Sequence, residues 1–75
     1  MAANPMTRTL RVTINGEARE VPAGLTVRHL LGHLGLDAGR VAVERNLEIL
    51  PRERWDSTAV QPADRFEIVH FVGGG

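Results

Sequence analysis

The last three residues, Gly73-Gly74-Gly75, directly follow an apolar run and end in a backbone carboxylate. Glycine loses the most conformational freedom when it is ordered, so three in a row are unfavourable inside a folded domain. A terminal carboxylate is inert alone, but once ATP has coupled it to AMP it becomes an acyl adenylate that a sulfur nucleophile can attack. Residues without a Cβ would let a partner enzyme thread this carboxylate through a narrow channel. The alternative is a frayed end without function, and the tail alone leaves both open.

Two histidines, His29 and His33, lie four positions apart in a predicted helix and are a candidate metal pair. They fall opposite the apolar stripe of that helix, which places them in solvent. No glutamate of a metalloprotease motif lies between them, and no third ligand is evident. We therefore interpret them as part of a polar helix face, and we predict no metal site and no bound cofactor.

Side chains for catalysis are equally sparse. Ser57 is the only serine, and no histidine lies near it in the sequence. Nothing places the candidate carboxylate pairs about a cleft; these pairs are Glu44 with Glu48 and Glu53 with Asp56. The glycines at 16, 24, 32 and 35 are scattered and form no phosphate-binding loop. The sequence therefore offers no active site of its own, and we expect a protein that is not an enzyme.

Composition narrows the class of partner. The 75-residue chain has nine basic and nine acidic residues, for a formal net charge of zero. This balance argues against nucleic acid or a membrane as a partner, because both attract an excess of basic charge. Cysteine is absent, so neither a disulfide nor a thiol is available. No apolar run is long enough for a signal peptide or a membrane span, and we expect a cytoplasmic location.

The amino-terminal half predicts a hairpin. LRVTI at 10–14 alternates apolar and polar residues, as a half-buried strand does, and Asn15-Gly16 after it is a strong turn signal. EAREV at 17–21 is the returning strand, but a two-residue turn would put its polar residues on the core face. Either the loop contains a bulge, or this is an edge strand in which the stem of Arg19 covers apolar surface.

The segment TVRHLLGHLGL at 26–36 predicts a helix that begins after Thr26, a good N-cap residue. Apolar residues recur at spacings of three and four along it, at Val27, Leu30, Leu31 and Leu34. Gly35 predicts a left-handed helix end, with Leu36 folding back towards Leu31 as in a Schellman motif.

The remaining residues predict three more strands. VAVE at 41–44 and LEIL at 47–50 flank a turn at Arg45-Asn46, and RFEIVHFV at 65–72 is the last strand. Between them lies a turn-rich stretch that Trp55 should anchor to the core. The order β-β-α-β-β-β allows the first and last strands to be central and parallel. It predicts an α+β fold of the β-grasp (ubiquitin-like) type, with four to five strands in a mixed sheet and one main helix on one face.

The other face of that sheet is open. Val69 and Phe71 of the last strand point towards it and form a candidate docking surface for a partner, unless loops or the middle strands cover them. For the domain organisation we predict a flexible leader at 1–7, a β-grasp domain at 8–72 and a flexible glycine tail at 73–75.

Four segments resemble the sulfur-carrier proteins of thiamine biosynthesis, the ThiS members of the ubiquitin-like MoaD/ThiS family. They are INGE at 14–17, TVRHLL at 26–31, VAVERNLEILPRERW at 41–55 and DRFEIVHFVGGG at 64–75. The 41–55 motif, with Pro51, Arg52 and Trp55, is the most specific, whereas a Gly-Gly end fits any ubiquitin-like modifier. The chain departs from the family pattern at PAD, 62–64, where a glycine-aspartate turn is common.

The resemblance implies a chemical role for the tail. An E1-like adenylyltransferase (ThiF-like) would use ATP and magnesium to adenylate the carboxylate of Gly75, and a persulfide sulfur donor would displace AMP and leave a thiocarboxylate. Thiazole synthase (ThiG-like) would take that sulfur into the thiazole ring, and Gly73 and Gly74 carry over as the threaded segment. Two alternatives remain. One is a carrier for molybdopterin or tRNA thiolation, which the 41–55 motif argues against; the other is a ubiquitin-like interaction module that is never activated.

Overall fold

The computed structural model of this chain describes residues 8–71. The predicted leader at 1–7, the last domain residue Val72 and the glycine tail at 73–75 lie outside the described residues. The elements within 8–71 are β1 (Thr9–Ile14), β2 (Glu17–Pro22), α1 (Val27–His33), β3 (Val41–Arg45), β4 (Glu48–Leu50) and β5 (Arg65–His70). Two short 3₁₀ turns, Ala38–Arg40 and Arg52–Arg54, precede and follow the β3–β4 hairpin.

The hairpin of β1 and β2 closes through a two-residue turn. Asn15 and Gly16 have φ values of 51° and 84°, as a type I′ turn requires at both central positions. Val12 therefore pairs with Arg19, and no bulge shifts the register. Of the two possibilities, the edge strand is correct, since β2 lies at one end of the sheet. The Arg19 side chain lines an open groove beside Leu34, so its stem does border apolar surface.

Helix α1 has the two ends that its sequence predicts. The Thr26 side chain accepts a hydrogen bond from the His29 backbone N–H at 3.2 Å. At the other end, Gly35 has a φ of 75°, and the Leu36 N–H donates to the Leu31 carbonyl at 2.9 Å. A Schellman motif is defined by two hydrogen bonds, and this is the one that spans more residues along the chain. It confirms the predicted helix end.

The five strands form one mixed sheet in the order β2-β1-β5-β3-β4. Strands β1 and β5 are central and parallel, and the other neighbouring pairs are antiparallel. The core fills the space between this sheet and α1, and its members are Val12, Ile14, Val21, Val27, Leu30, Leu31, Val41, Val43, Trp55, Val60, Phe66 and Ile68. The structure confirms the α+β, β-grasp fold. We call the sheet surface on the side of α1 the inner face and the opposite surface the outer face.

The turn between β3 and β4 lies one residue later than predicted. Arg45 belongs to β3 and pairs with Glu48, and the turn is Asn46-Leu47. The prediction of a turn at Arg45-Asn46 was therefore wrong. The reason is a contact distant in sequence: the Arg45 side chain reaches the buried Asp64 carboxylate, which keeps Arg45 within the strand. Leu47 consequently takes a left-handed backbone, with φ at 72°, and its side chain is 86% exposed.

Candidate functional site

Strand β5 is a central strand of the sheet and the last described element before the carboxyl terminus of the chain. The Phe71 N–H still donates to the Arg40 carbonyl at 2.8 Å, so the backbone of Phe71 is held against the residue before β3. The candidate reactive and threading residues, Gly75 with Gly73 and Gly74, lie outside the described residues.

The buried carboxylate of Asp64 fixes the start of β5. Asp64 is only 4% exposed, and its oxygens accept hydrogen bonds from Arg45 Nε at 3.0 Å, Asn46 Nδ2 at 3.1 Å and the Gln61 N–H at 2.9 Å. A buried carboxylate is tolerated when it is paired and hydrogen-bonded in this way. This cluster ties the β3–β4 turn to the residue that precedes β5.

The side chain of Asn15 fixes β5 from the opposite side. Its amide oxygen accepts from the Ile68 N–H at 2.7 Å, and its amide nitrogen donates to the Ile68 carbonyl at 3.2 Å. These two bonds extend the ladder between β1 and β5 beyond the last residue of β1. Strand β5 is therefore held as far as Ile68 on this edge and as far as Phe71 on the edge beside β3.

The segment that follows β4 is locked in place around Trp55, as predicted. Trp55 is 1% exposed, and its indole N–H donates to the Leu50 carbonyl at 3.1 Å. The Arg52 guanidinium lies 4.6 Å from the centre of the indole ring and donates to the carbonyl oxygens of Ala38 and Val41. Arg52 and Trp55 thus act as a clamp between this segment and the start of β3, and their role is structural.

Large apolar side chains lie exposed on the outer face. Val69 is 60% exposed and Phe71 58% exposed, so neither loops nor the middle strands cover the two residues predicted for docking. Ile49 of β4 is 77% exposed and lines the same shallow groove as Val69. Sequence reasoning missed Ile49, although the alternation of LEIL in a strand could have placed it on the outer face. Ala42 pairs with Val69 and leaves it uncovered because its own side chain is small.

The other candidate residues do not come together. His29 and His33 are exposed on α1, and no group of three potential metal-binding side chains exists among residues 8–71. The Ser57 hydroxyl donates to the Arg54 carbonyl within a turn, and Asp56 pairs with Arg28 at 2.8 Å. Over the same part of the chain, no helix has the length and apolar character needed to cross a membrane.

A comparison with known families gives a match: the model described as the ThiS family covers residues 12–75. This chain belongs to the ThiS family. The matched range starts inside β1 and includes the glycine tail, so it covers nearly the whole β-grasp domain and the candidate reactive end.

Two relatives in the ThiS family match over nearly their whole length. The sulfur carrier protein ThiS of Escherichia coli is 32% identical over 66 residues, which cover 88% of this chain and 100% of that protein. The crystal structure of the thiamine biosynthesis protein ThiS from Geobacter metallireducens aligns with a TM-score of 0.75 and 40% identity, over 88% of this chain and 100% of that chain. These matches support the assignment of both the family and the fold.

A further relative is a longer protein. The thiazole synthase of Paramagnetospirillum magneticum is 52% identical over 66 residues, which cover 88% of this chain but 20% of the synthase. This chain therefore spans about a fifth of the length of the curated thiazole synthases that it matches. In those proteins a ThiS-like segment and a thiazole synthase share one polypeptide.

Proposed function

We propose that this protein is a sulfur carrier in the biosynthesis of the thiazole moiety of thiamine. The observation that carries the proposal is the match of the ThiS family model, which extends through the glycine tail to residue 75. The carrier protein of Escherichia coli, which is similar over its whole length, supports it. In this proposal the protein acts as a carrier and not as a catalyst, as the name of the Escherichia coli relative indicates for that protein. Its site of action is the cytoplasm.

The reactive group is the backbone carboxylate of Gly75. A carboxylate oxygen attacks the α-phosphorus of ATP in an E1-like adenylyltransferase, with magnesium on the phosphates, and pyrophosphate leaves. The terminal sulfur of a donor persulfide then attacks the acyl carbon, and AMP leaves. A second thiol reduces the resulting acyl disulfide, so that the Gly75 carbonyl retains one sulfur as a thiocarboxylate. Thiazole synthase takes this sulfur as the nucleophile for ring formation.

Gly73 and Gly74 form the segment that enters the partner. They lack a Cβ, so another backbone can approach them closely in a narrow channel. The described part of the chain supplies a rigid base for this segment, because β5 is held by Asn15 on one edge and by β3 on the other. A rigid domain that ends in a narrow glycine tail lets the Gly75 carboxylate reach a deep active site while the domain stays outside it.

Val69 and Phe71 form the docking surface, which precedes the glycine tail in the sequence. They are exposed on the outer face, within six residues of Gly75 along the chain. Aromatic side chains are enriched in protein interfaces, and a few well-packed residues there supply most of the binding energy. Docking through this surface would hold the tail in register with the partner's active site.

An intact-mass experiment tests the proposal. The protein is incubated with ATP, magnesium, the adenylyltransferase and a sulfurtransferase that carries a persulfide. We expect a mass increase equal to the exchange of one oxygen for sulfur, and fragment ions should locate it at Gly75. A matched chain with one alanine appended after Gly75 should stay unmodified. An unchanged mass of the unmodified sequence under these conditions would contradict the sulfur-carrier function and favour an interaction module that is never activated.

A further inference from the structure

Two glutamates face each other on the outer face. Glu44 of β3 and Glu67 of β5 are direct partners in the antiparallel ladder. The register is continuous around them, since a backbone bond joins Asn46 to Arg65 on one side and another joins Phe71 to Arg40 on the other, each 2.8 Å long. Side chains directly opposite in such a ladder have Cβ atoms about 5 Å apart, so both carboxylates can reach one cation placed between them. We call Glu44 and Glu67 the acidic pair.

The acidic pair has no counter-ion within the described chain. Four ion pairs form among residues 8–71, and neither Glu44 nor Glu67 takes part in any of them. Arg65 lies on the same side of β5 two residues before Glu67, yet it too is outside these four pairs. Like charges directly opposite in a sheet destabilise it. This arrangement therefore opposes folding slightly and has no intramolecular compensation among the residues described.

The surroundings of the acidic pair are apolar. Glu44 is flanked across the ladder by Ile49 of β4, and the groove that holds both glutamates is also lined by Ala42 and Val69. Exposed apolar side chains around a charge are typical of a protein interface and not of a site for a free ion. The matching surface would be apolar with one or two basic side chains, because complementary charges align two docking surfaces.

We propose that the acidic pair docks the thiazole synthase by accepting an arginine or lysine side chain of that enzyme between Glu44 and Glu67. This inference rests on the proposed function and names a partner contact beyond Val69 and Phe71. Two observations favour the synthase. The acidic pair is continuous with the docking surface through Val69, and in two curated relatives the ThiS-like segment belongs to the same polypeptide as a thiazole synthase.

Binding titrations with charge-neutral variants test this inference. The full chain is titrated against the thiazole synthase of the same organism by calorimetry at low and moderate salt. The double variant Glu44→Gln and Glu67→Gln should bind about tenfold more weakly, with a smaller dependence on salt, because a desolvated charge contact is lost. The variant should remain folded, since its substitutions remove a repulsion, and its melting temperature should be equal to or above that of the original sequence.

The matched control is Glu48→Gln. Glu48 lies on β4 next to Ile49 but on the other side of the strand, so this substitution neutralises one carboxylate, as each substitution of the double variant does, without touching the outer face. The Glu48→Gln variant should bind the synthase with the same affinity as the original sequence. Equal affinity and equal salt dependence of the double variant would overturn the inference. The inference would also be overturned if the double variant lost affinity only for the adenylyltransferase, or if it lost self-association but bound the synthase normally.

The experiment separates this inference from the proposed function. Formation of the Gly75 thiocarboxylate is followed in parallel by intact mass on the original sequence. If the thiocarboxylate forms and the double variant still binds the synthase normally, only the role of the acidic pair fails. If the thiocarboxylate never forms, the carrier function fails whatever the titrations give.

Discussion

The two faces of β3 and β5 differ in what their side chains contact. On the inner face, Val43, Phe66 and Ile68 are buried against the core. On the outer face, alternate residues of the same strands, such as Glu67 and Val69, remain in solvent. Because side chains alternate along a strand, neighbouring residues of one short segment serve different purposes. Substitutions on the inner side should cost stability, whereas substitutions on the outer side should cost binding.

The largest expected effect concerns the polar cluster that closes the fold. Asp64→Ala removes the carboxylate that pairs with Arg45 and leaves that guanidinium without its partner. We expect a loss of about 3 kcal/mol in the free energy of unfolding, because breaking a buried ion pair leaves an uncompensated charge. A domain of this size has only about 3–5 kcal/mol in total, so the variant should be largely unfolded at modest urea concentrations. Urea denaturation followed by Trp55 fluorescence measures this.

The control for that prediction is Asp64→Asn, which keeps one acceptor oxygen for Arg45 or Gln61. It should lose less stability than the alanine variant. Equal stability of the alanine variant and the original sequence would contradict the structural role assigned to the cluster.

The second prediction concerns the glycine tail, whose proposed role is to enter partner enzymes and not to stabilise the domain. Gly74→Val adds a branched side chain to the segment that must pass through the adenylyltransferase. We expect adenylation to fall about a hundredfold, as displacement of a reacting group by about 1 Å can cause. Pyrophosphate exchange measures the rate, and the unfolding curve should not change. Adenylation at the original rate would refute the need for a Cβ-free segment.

The outer face supplies the third prediction. Phe71→Ala removes an aromatic ring that is mostly exposed, so the free energy of unfolding should fall by less than about 1 kcal/mol. The free energy of binding to the thiazole synthase should weaken by about 2 kcal/mol, roughly thirtyfold in affinity, as expected of an aromatic anchor in an interface. Calorimetric titration measures the affinity. A stability loss larger than the binding loss would mean that Phe71 belongs to the fold and not to the docking surface.

The smallest effect is expected where the chain departs from the common family pattern. Ala63, in the PAD segment, has a φ of 69°, a left-handed backbone that glycine adopts more easily. Ala63→Gly should therefore stabilise the domain by about 0.5–1 kcal/mol, the relief of strain exceeding the entropy cost of glycine. Ala18→Gly, in the regular strand β2, should have the opposite sign. Thermal unfolding distinguishes the two, and destabilisation at Ala63 would show that the backbone there is not strained.

Local patterns were sufficient to predict most of the elements. Alternation identified β1, the Asn15-Gly16 pair predicted the first hairpin, and Thr26 and Gly35 marked the ends of α1. These features depend on residues within a few positions of one another. The sheet order followed because the β-β-α-β-β-β sequence admits few arrangements with parallel central strands.

The errors and omissions have a common cause. The turn at Asn46-Leu47 is set by the contact of Arg45 with Asp64, which lies 19 residues further along the chain. A leucine in a left-handed conformation also carries no turn signal in the sequence. Likewise, Ile49 and the acidic pair become neighbours only through the pairing of β4, β3 and β5. Contacts between strands distant in sequence cannot be derived from periodicity alone.

The 41–55 motif that carries the resemblance contains both kinds of residue. Asn46, Arg52 and Trp55 make hydrogen bonds that hold the β3–β4 region together. Glu44 and Ile49, in contrast, project from the outer face. Several polar contacts of the motif therefore close the fold, whereas Glu44 and Ile49 belong to the outer face.

Transfer of a labelled sulfur atom tests the central claim most directly. The carrier is converted to its thiocarboxylate with isotopically labelled persulfide, purified away from the donor, and mixed with thiazole synthase and its organic substrates. We expect the label to leave Gly75 and to appear in the thiazole ring, with one sulfur transferred for each carrier that returns to the carboxylate. A thiazole that forms without the label, or a label that remains on Gly75, would contradict it.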